Sequence, residues 1–202
     1  MNGVLHGGRS AALAAFVAAA ILSGLIVSLA SGMPSAEVLD ALSVGTAASA
    51  LVVVTLAFAG VAGRPWGQAG RALALAGMTL VLAGDAIQAV ALRSEADSGL
   101  LWAISFAIRD GVGNGLFFAS LLVLGALLWS HHRWIAGLAV ANGLLGFLAM
   151  AFADGLGLPP HLNFMLLVVW FLAIGVRWWR SAAVTDAPGN ERLSGEGASL
   201  GA

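Results

Sequence analysis

Six stretches of this chain stay apolar for about the 20 residues that a bilayer core requires. They are 11–30, 41–61, 72–92, 100–129, 134–152 and 164–178. Glycine, proline or charged residues bound each of them. Runs of this length predict transmembrane helices. The expected fold is therefore all-α: a polytopic, six-helix integral membrane domain over 1–180. A tail over 181–202, rich in Gly, Ser and Ala, is expected to be disordered and cytoplasmic. The first run invites a second reading as a secretory signal, with Ser28-Leu29-Ala30 before the cleavage point. It is longer than a signal core of about 7–15 residues, so it reads as an uncleaved helix. Ser35 is placed to cap the second helix, with Glu37 in the first turn to suit the helix dipole. Gly45, Ala47, Ala48 and Ala50 in the second run suit close helix packing in lipid.

The informative positions are those that break the apolar pattern. Asp85 and Gln88 interrupt the third run; Arg109, Asp110 and Asn114 interrupt the fourth; Asn142 interrupts the fifth. Two charges near mid-bilayer cost roughly 5–7 kcal/mol on insertion scales. The fifteen Leu, Ile, Val and Phe residues of the fourth run return only about 0.3–0.6 kcal/mol each. The two sums nearly cancel, so the fourth helix calls for a polar partner. Counted from the turn at 93–98, Asp85 and Arg109 lie at nearly equal depth, about 12–14 Å along their helices. Opposite charges at matched depth on neighbouring helices are expected to pair. Gln88 shares the face of Asp85, and Asn114 shares that of Asp110. Asp110 is then left over, and a surplus buried carboxylate is expected to be protonated. The pair is either a register-fixing device or the wall of a water-filled pocket. Gly111, Gly113 and Gly115 are expected to permit close packing or a bend.

Charge sets the expected topology. Arg9, Arg64, Arg71, Arg133, Arg177 and Arg180 fall on one side of a six-span layout. Arg93 falls on the other, with Glu37, Asp40, Glu95, Asp97 and Asp154. The positive-inside rule puts both termini in the cytoplasm. Trp66, Trp129, Trp134, Trp178 and Trp179 are expected to form an aromatic belt on that side, with Trp102 at the opposite interface. The 202 residues are 60% hydrophobic and 9% charged, against about 25% charged in soluble domains. A net charge of -1 argues against a nucleic-acid partner. With no Cys, disulfides, thiolate metal sites and cysteine nucleophiles are excluded. All nine basic residues are Arg, so no lysine Schiff base of the retinal type can form. Tyrosine, a common proton donor, is also absent. The Ala, Gly and Arg bias suggests a bacterial cell (inner) membrane.

Other candidates are weaker. His131 and His132 are adjacent in a turn beside Arg133 and read as interfacial rather than as metal ligands. Asp154, His161 and Asn163 are placed to close the outer mouth of a pocket. Asn142 reads as interhelical glue. No metalloprotease, nucleophile-elbow or phosphate-loop motif is present, no histidine pair is spaced for haem, and no inverted repeat is evident. No metal and no cofactor is expected. Partners are expected to be membrane lipids, a small polar or lipidic ligand, and other copies of the chain.

Gly115-Leu-Phe-Phe118, Leu124-Gly125-Ala-Leu-Leu-Trp129, Arg133-Trp134-Ile-Ala-Gly137-Leu and Gly143-Leu-Leu-Gly146 resemble the second half of the bacterial DUF4386 family of small multi-span membrane proteins, with a departure in the turn. In particular, His131-His132 stands where that family often has Pro. The resemblance implies a multi-helix membrane fold and no activity. The leading functional expectation is a polar pocket in the outer half of the bilayer that binds or passes a small polar solute or proton. An intramembrane enzyme with Asp110 as general acid on a lipid or isoprenoid, and an accessory subunit without chemistry, are the alternatives.

Overall fold

The structure, a computed structural model, describes residues 8–32, 35–93, 98–152 and 162–185. These residues form six helices, each long and apolar enough to cross a membrane. They are α1 (Arg9–Ser31), α2 (Ala36–Ala59), α3 (Gly67–Arg93), α4 (Gly99–Leu128), α5 (Arg133–Ala151) and α6 (Leu162–Thr185). Each packs against its neighbour in sequence, and α6 returns to pack on α1. The bundle is therefore a closed up-and-down ring. The last residues of α1, α3 and α5 and the first of α2, α4 and α6 lie at one end, and the turns at 60–66 and 129–132 lie at the other. These are called the acidic end and the arginine-rich end below, after the charges in the sequence.

The helices differ from the apolar runs at their ends, and for local reasons. Helix α2 begins at Ala36, five residues before the apolar run, because Ser35 caps it and its Oγ accepts from the Val38 N–H at 3.3 Å. Helix α3 begins at Gly67 rather than 72: the Gly70 N–H already donates to the Trp66 carbonyl at 2.8 Å, and the turn packs so tightly that a Cβ at Gly67 would lie 2.2 Å from the Val61 oxygen. Helix α6 continues to Thr185, past both the expected end at 178 and the expected start of the tail at 181. Ser181 and Ala182–Ala183 do not stop a helix, and the first proline comes only at 188. Helix α1 ends where Gly32 adopts φ +68°, the left-handed C-cap that glycine adopts freely.

Helix α4 is not uniform. Residues Ala107–Gly113 form a π-helical segment between α-helical Gly99–Phe106 and Asn114–Leu128. The Asn114 N–H reaches back to the Arg109 carbonyl, the five-residue step that defines a π turn. Packing against α3 accompanies it. Gly70, Gly77 and Gly84 recur every seven residues on α3, and all three are sites of close approach. A Cβ on Gly77 would lie 2.7 Å from the Phe117 nitrogen, and one on Gly84 would lie 2.6 Å from the Arg109 Cβ. A seven-residue spacing keeps one face of a helix turned toward its partner. Of the three glycines flagged on α4, only Gly113 is a close contact, against Val81. Gly111 has nothing within 4 Å, and Gly115 meets only Met150 at 3.7 Å.

The ring is filled unevenly along its axis. Toward the arginine-rich end it is solid: Phe58, Leu124, Leu128, Trp170, Phe171 and Trp178 are all fully buried. The outer surface carries exposed apolar side chains such as Val17, Val52, Leu75 and Val169, which suit lipid contact. Trp66, Trp129, Trp134 and Trp179 are exposed at the arginine-rich end, but Trp178 is only 1% exposed. That tryptophan belongs to the core and not to the belt, because the last turns of α6 lean on α1 and place its face inward.

Candidate functional site

Helix α3 places Asp85 and Gln88 on one face, and the π segment of α4 places Arg109 against them. Asp85 is 1% exposed. Arg109 Nη1 donates to Asp85 Oδ1 at 3.2 Å and also to Gln88 Oε1. The pairing expected from hairpin depth is present. Ser43 of α2 adds a third helix, its Oγ donating to Asp85 Oδ2 at 3.1 Å. The backbones are held close here by Ser105, whose buried Oγ donates to the Gly84 carbonyl at 2.8 Å.

Asp110 is not a surplus group. Arg109 Nε donates to Asp110 Oδ1 at 3.1 Å, and Nη2 donates to Oδ2 at 2.9 Å. Asn114 Nδ2 also donates to Oδ1, at 3.1 Å. One guanidinium thus joins two carboxylates, with its plane near the Phe106 ring at 5.3 Å. The expectation of a protonated, leftover Asp110 assumed that Arg109 was committed to Asp85 alone. That assumption fails because a guanidinium is a fork with five N–H donors and can serve two carboxylates from different edges.

This cluster forms one wall of a cavity of about 400 Å³ in the acidic half of the ring. Its other polar members are Ser43, Thr46, Asn142 and Asn163. Apolar walls come from all round the ring: Leu25, Ala50, Met78, Val81, Phe117 and Leu167. Trp102 lies toward the acidic end, and the buried aromatic and leucine layer lies beyond the cavity toward the arginine-rich end. The candidates Asp85, Gln88, Arg109, Asp110, Asn114, Asn142 and Asn163 all line this one space. Asp154 and His161 lie outside the described residues.

Asn142 differs from its expected role. It is 1% exposed, and its Nδ2 has no hydrogen-bond partner among the described residues. Among the described residues its amide nitrogen makes no bridge to another helix, and the residue lines the cavity. The Thr46 Oγ1 of α2 is likewise buried without a partner. Ser43 and Thr46 carry no charge and sit in a run of small residues, so the sequence alone does not single them out. The seven-residue glycine spacing on α3 was a legible signal for the face that meets Arg109.

At the other end of the bundle His131 is engaged by protein groups: Arg64 Nη2 lies 3.1 Å from its Nε2, and Ser130 meets its Nδ1. Arg64 Nη1 also donates to the Leu127 carbonyl at 2.8 Å, a cation at a helix C-terminus. Burial, with Arg177 and His131 nearby, holds His132 below the usual imidazole value. Among the described residues no three His, Cys, Asp or Glu side chains cluster as metal ligands. No family model, curated protein or solved structure matches this chain.

Proposed function

We propose that this six-helix membrane protein binds a small amphipathic molecule in the cavity beside Asp85, Arg109 and Asp110. The observation that carries the reading is Asn142, almost wholly buried and lining that cavity, whose Nδ2 has no partner among the described residues. A buried donor left unpaired costs about 1–3 kcal/mol, and a bound polar atom would recover that cost. The volume falls within the roughly 300–1,000 Å³ of small-molecule pockets. The mixture of an ionic wall with leucine, phenylalanine and methionine walls suits a ligand with a polar head and an apolar body.

Binding is favoured over passage. The layer of Phe58, Leu124, Trp170, Phe171 and Trp178 leaves these side chains 0–1% exposed, a close-packed layer with little room for a solute. Acid catalysis by Asp110 is disfavoured, since both of its oxygens accept from Arg109. In our reading the acidic end faces the outside of a bacterial inner membrane, with both termini cytoplasmic. The arginine asymmetry supports this orientation.

The test is saturable binding of 2-phenylethanol to the purified protein in zwitterionic lipid nanodiscs. Ala50 lines the cavity and is 2% exposed. Ala50→Phe should fill that space and abolish the saturable component. Saturable binding that survives Ala50→Phe unchanged would place the ligand elsewhere.

A further inference from the structure

We infer that the cavity takes a molecule whose polar group lies between two apolar arms, the class of secondary alcohols, esters and amides, rather than one that ends in its polar group. This inference rests on the binding reading above and adds to it the place of the polar group on the ligand. The argument starts from the order of lining residues along three helices. On α3 the order is Leu92, Asp85, Met78, and steps of seven keep one helix face turned the same way. On α4 the order is Trp102, Arg109, Phe117. The second step there is eight residues, because it passes through the π segment Ala107–Gly113, whose wider turn takes up one more residue. On α2 the order is Leu39, then Ser43 and Thr46, then Ala50. Each helix thus runs apolar, polar, apolar from the acidic end inward.

The three patterns stand in register. Asp85 accepts from both Arg109 and Ser43, which levels the polar belt. Gly77 meets Phe117 as Gly84 meets Arg109, which levels the apolar floor beneath it. Asn142 joins the belt: it lies about 13 Å from the end of α5 at Ala151, against about 12 Å for Asp85 from Arg93. The Asn142 Nδ2 and Thr46 Oγ1 have no partner among the described residues, so the belt holds hydrogen-bonding groups that a ligand can meet. Phe164 near the start of α6 extends the apolar collar, where Asn163 is the polar lining residue. At 1.5 Å per residue, collar and floor on α3 each lie about 10 Å from Asp85. With C–C bonds near 1.5 Å, an arm of about four carbons fits within either half. A hydroxyl placed against Met78 or Leu92 instead would lose its hydrogen bonds, which is costly in an apolar surrounding.

Two isomers of one alcohol test this: 5-nonanol and 1-nonanol, each measured by equilibrium dialysis against the protein in zwitterionic nanodiscs. Empty nanodiscs give the share dissolved in lipid, and affinities are compared at equal concentration in the bilayer. The central alcohol should bind about three- to tenfold more tightly, the scale of one net hydrogen bond, because 1-nonanol reaches the belt only by leaving one arm empty. Asn142→Leu should lower 5-nonanol to the level of 1-nonanol, and retained binding of 1-nonanol shows that the variant is folded. Ala50→Phe should abolish both. If 1-nonanol binds as tightly as 5-nonanol, or if the preference survives Asn142→Leu, while Ala50→Phe still abolishes binding, the central polar group falls and the pocket stands. If neither isomer binds saturably, both readings fall.

Discussion

Arg109 holds two carboxylates on separate edges, and that decides the order in which its neighbours matter. Removing Arg109 takes away the guanidinium that Asp85 and Asp110 share. Arg109→Gln should therefore be the costliest change in the cluster, about 3–5 kcal/mol on the scale of a broken buried pair. Asp85→Asn leaves Arg109 still bound to Asp110 and should cost less, about 1–3 kcal/mol. Asp110→Asn, at the more exposed edge, should cost under about 1 kcal/mol. Denaturation in detergent checks the order; an Asp85→Asn variant weaker than Arg109→Gln would mean that Asp85 carries the charge balance alone. His132 gives the pH dependence at this scale. Its imidazole is held below the usual value by burial, Arg177 and His131, so the folded protein resists protonating it. Stability from this group is full above about pH 6.5 and declines as pH falls below that value, where the unfolded chain takes up the proton first. His132→Gln should flatten that part of the stability curve, measured as melting temperature between pH 7.5 and 5.

At the scale of the element, the π segment of α4 and the glycine face of α3 act together. The wider turn carries Arg109 toward α3, and Gly84 lets it come close. Gly84→Ala places a methyl 2.6 Å from the Arg109 Cβ and 3.1 Å from both the Arg109 nitrogen and the Ser105 carbonyl. Two of these neighbours are backbone and cannot swing aside, so overpacking should cost about 1–3 kcal/mol. Gly111→Ala provides the contrast, since nothing lies within 4 Å of the added atom. It should be neutral or stabilising by up to about 1 kcal/mol, the helix advantage of alanine. Equal melting temperatures for the two variants would contradict the close approach of α3 and α4.

At the scale of the molecule, a ring of six helices surrounds a space that is open in one half and packed in the other. The orientation can be read by labelling, because the chain has no native cysteine. Ala69, exposed near the start of α3, should be shielded as Cys from an impermeant thiol reagent in intact cells, and Ser98 at the opposite end should react. The reverse pattern would invert the proposed topology and turn the cavity toward the cytoplasm.

The six spans were legible because hydropathy is a local property: roughly 20 apolar residues make a membrane helix whatever surrounds them. The Asp85–Arg109 pair was legible for a related reason, since two helices joined by a short turn share a depth scale that can be counted at 1.5 Å per residue. The Ser35 cap is equally local. What the tertiary structure decided depends on azimuth and volume, which residue counting along one chain does not set. The Asp110 assignment turned on the edge of Arg109 that faced it, and that edge follows from a π turn in α4. Trp178 became core because α6 closes on α1. Ser43, Thr46 and Asn142 come from helices far apart in sequence, and only closure of the ring brings them to one cavity. Whether the space between six helices is filled or left open depends on the side chains of all of them at one level, here large aromatics toward the arginine-rich end and small or polar groups toward the acidic end.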